Sequence, residues 1–133
     1  MGSEHQLSDL QLAIMKVVWL RGEAAAAEVH QALCDEGRDL APTTVATVMS
    51  RLEKRGLLTH RTEGRQYIYA SKVEEQEIRR SMLERVTHFF FGGDTSALVH
   101  HLVGARDVGQ DDLEAIKRLI ARKEGESEDG NDG

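Results

Sequence analysis

A mainly α-helical fold with one small β-hairpin is what the sequence predicts, on three observations. Apolar residues recur at helical spacing through most of the chain. Two short β-prone runs, "LLTHRT" and "RQYIYAS", meet at Glu63-Gly64. Charge is sorted by segment: residues 1–41 carry a net of -4, residues 42–72 a net of +4 and residues 73–133 a net of -6, within a total of -6.

The first helix starts with Ser8 as its cap, Gln11 as the capping-box partner reaching back, and Leu7 placed to staple onto Leu12. Ile14, Met15, Val18 and Trp19 continue it at helical spacing, and Gly22 stops it. A second helix fits residues 26–36, with Val29 and Leu33 inward and Gly37 at its end; the "AAAA" at 24–27 reads as compact helix former or a short extended entry, with no function attached. A third helix begins near Pro42, a residue suited to a first helical position because its missing N–H would have no partner there, and runs to Gly56. The hairpin follows. Helix, helix, helix, hairpin is the order of a winged helix-turn-helix, predicted over residues 7–72.

Beyond Lys72 the pattern becomes long amphipathic helix, predicted as a helical dimerisation domain over residues 73–124. Ile78, Met82, Leu83, Val86, Phe89 and Phe90 line one broad side, and Gly92-Gly93 break it. Asp94 or Thr95 caps a next helix carrying Leu98, Val99, Leu102 and Val103; a last one, from about 110 to 124, carries Leu113, Ile116, Leu119 and Ile120. Residues 125–133 hold acids and no apolar residue, which predicts a disordered tail.

Composition narrows the function classes. No apolar run approaches the ~20 residues of a bilayer span, and the first residues lack the pattern of a secretion signal, so a cytoplasmic location is expected. Cys34 is the sole cysteine, which rules out an intrachain disulfide and a multi-cysteine metal cluster from one chain. His100 and His101, adjacent on a helix, point about 100° apart and do not readily chelate one ion. No nucleophile, base and orienter set appears, nor a phosphate-cradling glycine loop. Neither enzymatic activity nor a cofactor or metal is predicted.

The basic segment carries the functional signal. On the third helix Val45, Val48, Met49 and Leu52 cluster as a core face; Thr43, Thr47, Ser50 and Lys54 lie opposite, with Arg51 beside them. Short hydroxyl side chains let a backbone approach a DNA major groove, and Arg51 can reach a guanine or a phosphate. Arg61 and Arg65 flank the hairpin tip, where they would lie over neighbouring phosphates. Tyr67 and Tyr69 share one side of their strand, and packing of at least one against the helices is expected. Phe89, Phe90 and Phe91 cannot all face one small core, so burial between two copies is expected in place of packing onto the winged domain. A dimer presents two recognition helices to a palindrome. The alternative is a winged-helix protein-interaction module whose basic face meets an acidic protein.

The stretches "LSDLQLAIMKVVWLRGEAAAAEVHQAL", "APTTVATVMSRLEKRGLLTHRTEGRQYIYA", "FFGGDTSALVHHLV" and "DDLEAIKRLI" resemble the penicillinase repressor family, the BlaI, MecI and CopY group, over about residues 7–122. The resemblance implies a homodimeric repressor of double-stranded DNA with a palindromic operator of TACA/TGTA type. It also implies recognition-helix positions for Thr43, Thr44, Thr47 and Arg51, and a wing position for Arg65. Two departures stand out. The C-terminal Cys-x-Cys pair of copper-responsive members is absent. In β-lactam-responsive members a membrane sensor protease cuts an Asn-Phe bond in "LVxNF"-like sequence; "LVHHLV" here places His101 and Leu102 at that bond, as the implied regulatory cleavage site, without the Asn.

Overall fold

The computed structural model describes residues 6–105 and 108–131. Its elements run in the order α1 (Asp9–Arg21), β1 (Glu23–Ala25), α2 (Ala26–Asp35), α3 (Pro42–Lys54), β2 (Leu58–Glu63), β3 (Gln66–Ser71), α4 (Glu75–Phe91), α5 (Thr95–Ala105) and α6 (Gln110–Asn131). The fold is mainly helical with a small three-stranded antiparallel sheet, the winged-helix arrangement read from the sequence. The chain divides into two compact units, one ending at Val86 and the other beginning at Thr87.

In the first unit α1 begins as its sequence dictates. The Gln11 N–H donates to Ser8 Oγ (3.2 Å) and the Ser8 N–H to Gln11 Oε1 (2.9 Å), so two otherwise orphaned donors are satisfied reciprocally. Leu7 is buried and Leu12 packs against the same core, as the staple requires. Gly22 ends the helix at φ 83°, a left-handed conformation that residues with a Cβ avoid. The core is made by Ile14, Met15 and Val18 of α1, Val29 and Leu33 of α2, and Val45, Met49 and Leu52 of α3; Leu58 and Tyr69 close it from the sheet. The Trp19 indole N–H donates to Ser71 Oγ (3.0 Å) and to the Val73 carbonyl (3.1 Å), which ties α1 to the exit of the sheet.

The sheet has strand order β1-β3-β2. Pairing of Glu63 with Gln66 leaves Gly64-Arg65 as a two-residue turn. Gly64 has φ 63° and Arg65, like every other non-glycine among the described residues, has no positive φ, the pattern of a II′ hairpin turn. The tip is therefore one residue later than the sequence reading put it, with Arg65 inside the turn.

One alternative is resolved and two features differ from expectation. Of residues 24–27, expected as helix former or short extended entry, Ala24 and Ala25 are extended in strand β1, pairing with Tyr69 and Ile68, and Ala26 and Ala27 open α2. Alanine has little strand preference of its own; the open edge of β3 and the burial of Ala24 and Ala25 supply what propensity does not. Ile78, expected at the dimer interface, is 1 % exposed in the core of the winged unit, with Met82 packed against that core from one turn further on. The i, i+4 pair faces inward because the first turns of α4 belong to the same compact unit as α1. Finally, α6 continues to Asn131, through most of the stretch whose composition predicts a disordered tail. No proline interrupts it, and Gly125 and Gly130 cost about 1 kcal/mol each without forbidding helix.

In the second unit Asp94 caps α5, its Oδ1 accepting from the Ala97 N–H (3.1 Å). Phe91 meets the His101 ring at 6.0 Å between centroids. Phe89 and Phe90 remain 66 % and 79 % exposed, and Val99, Leu102, Leu119 and Ile120 are exposed too. Leu98, Leu113 and Ile116 are half-buried. No described helix is long and apolar enough to cross a membrane.

Candidate nucleic-acid interface

The outward face of α3 is set by its inward one. With Val45, Met49 and Leu52 fully buried, Thr43, Thr47, Ser50, Arg51 and Lys54 are turned to solvent, as is Thr44. Pro42 opens the helix at its first position, and Arg51 and Lys54 sit in the last turn, where the helix dipole favours cations. Hydroxyls crowd the start of the face and cations its end.

Between α3 and the hairpin lies a groove of about 440 Å³ lined by Ala46 and Ser50 of α3, Ala25 at the end of β1, Ala26 and Ala27 at the start of α2, and Arg65, Gln66, Tyr67 and Tyr69 of the wing. The sequence reading missed its small-residue wall. The signal available was the alanine run itself, together with Ala46 and Ser50 four residues apart on one side of a helix. Both tyrosines line the groove; Tyr69 is buried and packs against the core, whereas Tyr67 is 51 % exposed.

The cations of the basic segment divide into two kinds. Arg51, Lys54 and Arg65 are exposed and form no ion pair among the described residues. Arg61 is different. Its Nε and Nη2 donate to the two carboxylate oxygens of Glu23 on β1 (3.1 Å each), and its Nη1 donates to Glu63 Oε2 (2.7 Å). These bonds, that to Glu23 first, push the guanidinium pKa further up, and the same hydrogen bond and charge hold the Glu23 carboxyl below its usual value. Arg61 therefore laces the two outer strands across the face that carries Ile68, itself 8 % exposed, and two carboxylates already offset its charge. Expected among the phosphate-facing cations, it is committed within the fold. Arg55, not singled out from sequence, donates to Gln11 Oε1 (3.3 Å) and to the Gln6 carbonyl (2.8 Å), a structural role.

Of the remaining sequence-predicted residues, His101 and Leu102 lie within α5 and are exposed. Among the described residues no group of three or more His, Cys, Asp or Glu could hold a metal ion.

Three core helices, a three-stranded sheet and an exposed third helix beside a wing define a winged-helix regulator. The family model described as "Penicillinase repressor" matches residues 7–122, and the chain belongs to that family, one of transcriptional repressors and not of enzymes. It is 34% identical over 121 residues to "Transcriptional regulator BlaI" of Mycobacterium tuberculosis, covering 90% of this chain and 86% of that one. It is 24% identical over 119 residues to "Methicillin resistance regulatory protein MecI" of Mammaliicoccus sciuri, covering 90% and 96%. Among solved structures, the solution structure of the DNA binding domain of the repressor BlaI aligns with a TM-score of 0.50 at 34% identity, over 58% of this chain and 93% of that domain. The crystal structure of transcriptional regulator Tm0710 from Thermotoga maritima aligns with a TM-score of 0.51 over 95% of this chain and 80% of that one; at 19% identity it supports the fold alone.

Proposed function

We propose that this chain acts in the cytoplasm as a homodimeric repressor that binds a palindromic operator of TACA/TGTA type, with α3 in the major groove and the β2–β3 wing on the phosphate backbone. The observation that supports this reading is the set of exposed cations without an ion pair among the described residues, Arg51 and Lys54 in the last turn of α3 and Arg65 lining a groove whose helix side is made of small residues. Thr43, Thr44, Thr47 and Ser50 are placed to meet base edges and sugars. Arg51 is long enough for a guanine edge, and Lys54 and Arg65 suit phosphates. Residues up to Lys72 supply the DNA-binding part, and the apolar surface of the last helices supplies the dimer. Exposed Leu83, Val86, Phe89, Phe90, Val99, Leu102, Leu119 and Ile120 are more large apolar side chains than a stable monomer leaves in water. A second copy would cover them and set two recognition helices about 34 Å or a multiple of it apart.

The test is sedimentation of the full chain and of the double variant Phe89→Ser, Phe90→Ser, each also titrated with palindromic DNA. Loss of the dimer together with tight operator binding is expected; a wild-type chain that sediments as a monomer while binding the palindrome tightly rejects the dimeric reading. Induction by a membrane sensor protease would cut at His101–Leu102, inside α5, and so split the dimerising unit. An intact chain in source cells exposed to an inducing β-lactam rejects that route.

A further inference from the structure

We propose that Glu53, His60 and Tyr67 form a clamp that fixes the wing against α3, making His60 and Glu53 positioning residues for the DNA strand held between them; the inference rests on the DNA-binding reading above. The His60 Nδ1–H donates to Glu53 Oε2 at 2.5 Å. An ionised carboxylate can only accept, so this contact fixes the proton on Nδ1. The imidazole also stacks on the Tyr67 ring, with centroids 3.9 Å apart and planes 15° from parallel. Tyr69 completes the set, its ring 5.7 Å from His60 and 6.3 Å from Tyr67. A continuous line of contact thus runs from the last turn of α3, through β2, to Tyr67 on β3, two residues from Arg65.

Glu53, in the last turn of α3, is the single acid of that helix and holds the line at its helix end. Tyr67 shares the groove with Ser50 and Arg65. A two-stranded ribbon is compliant unless packed, and holding it in its bound position beforehand removes an ordering cost from binding. Arg61 gives the ribbon a second anchor, but to β1 and not to α3. The clamp adds a hydrogen-bonded and stacked link toward the hairpin tip to the packing of Leu58 and Tyr69 against the α3 core residues.

This arrangement makes a prediction opposite in sign to simple electrostatics. Glu53→Ala removes a negative charge from a DNA-facing helix, which alone would tighten binding. If the clamp operates, the same substitution frees the wing and weakens binding. The experiment is a fluorescence-anisotropy titration of the full-length protein with a labelled TACA/TGTA palindrome and a scrambled duplex, at two salt concentrations, with thermal melts to confirm folding.

Glu53→Ala and His60→Ala are each expected to lower palindrome affinity about fivefold or more, with Arg65→Ala costing less in the His60→Ala background than in wild type because the two act through one wing. Glu53→Gln keeps an acceptor for Nδ1–H and is expected to restore affinity to within about twofold of wild type. Tighter or unchanged binding by Glu53→Ala, or full additivity of His60→Ala with Arg65→Ala, overturns the clamp while leaving the DNA-binding reading in place. A wild-type protein that does not prefer the palindrome at either salt concentration fails that reading and the clamp with it.

Discussion

The three cations Arg51, Arg61 and Arg65 look alike in sequence, and the structure gives them different work. Arg65 sits in the hairpin turn with no ion pair among the described residues, so Arg65→Ala should weaken binding to all duplexes and reduce the slope of log affinity on log salt by about one. Arg51 lies on the exposed side of α3, and under the proposed docking Arg51→Ala should cost about 1–3 kcal/mol and relax preference at one operator position. Arg61→Ala should change operator affinity by no more than about twofold, because Glu23 and Glu63 already occupy its guanidinium. Its signature is a titration. The folded Glu23 carboxyl is depressed, so the Glu23–Arg61 contact is complete above the unfolded carboxylate value and is lost as pH falls through the lower, folded one. In NMR titrations Glu23 should ionise below an ordinary glutamate, and in Arg61→Ala it should return to the ordinary value. Wild-type ionisation at the ordinary value would contradict the bidentate geometry.

At the scale of elements, α1, α2, α3 and the hairpin were legible in the sequence because each is specified locally. Ser8 and Gln11 cap, Pro42 starts, Gly22 and Gly64 stop or turn, and apolar spacing picks the buried face. Strand β1 was legible only as one of two alternatives, a short extended entry, since two of its three residues are alanine and the pairing with β3 that makes them a strand has no local signal. Arg61 was misjudged for a related reason: its partner Glu23 is 38 residues away, on the far strand of the sheet, and no local pattern joins them. Helix α4 is the other case. Its apolar stripe reads as one continuous face, yet Ile78 is buried in the winged core whereas Phe89 and Phe90 are open. Ile78→Ala should therefore destabilise the winged unit by about 2–5 kcal/mol in urea unfolding. Phe90→Ala should leave that unit's stability within about 0.5 kcal/mol. An Ile78→Ala variant as stable as wild type would show that α4 is not part of the winged core.

For the whole molecule, an acidic chain with a confined basic segment solves a charge problem. Under the proposed function, the exposed cations within residues 42–72 would attract the phosphate backbone locally, and the acidic remainder would disfavour DNA elsewhere on the surface. Membership of the penicillinase repressor family and the exposed hydroxyl and cation face of α3 support that reading. The most direct test is titration of the unmodified full-length protein with a labelled TACA/TGTA palindrome against a scrambled duplex of equal length, at two salt concentrations. The account predicts a preference for the palindrome of about a thousandfold or more, with affinity for both duplexes falling as salt rises. Equal and weak affinity for the two duplexes would contradict it.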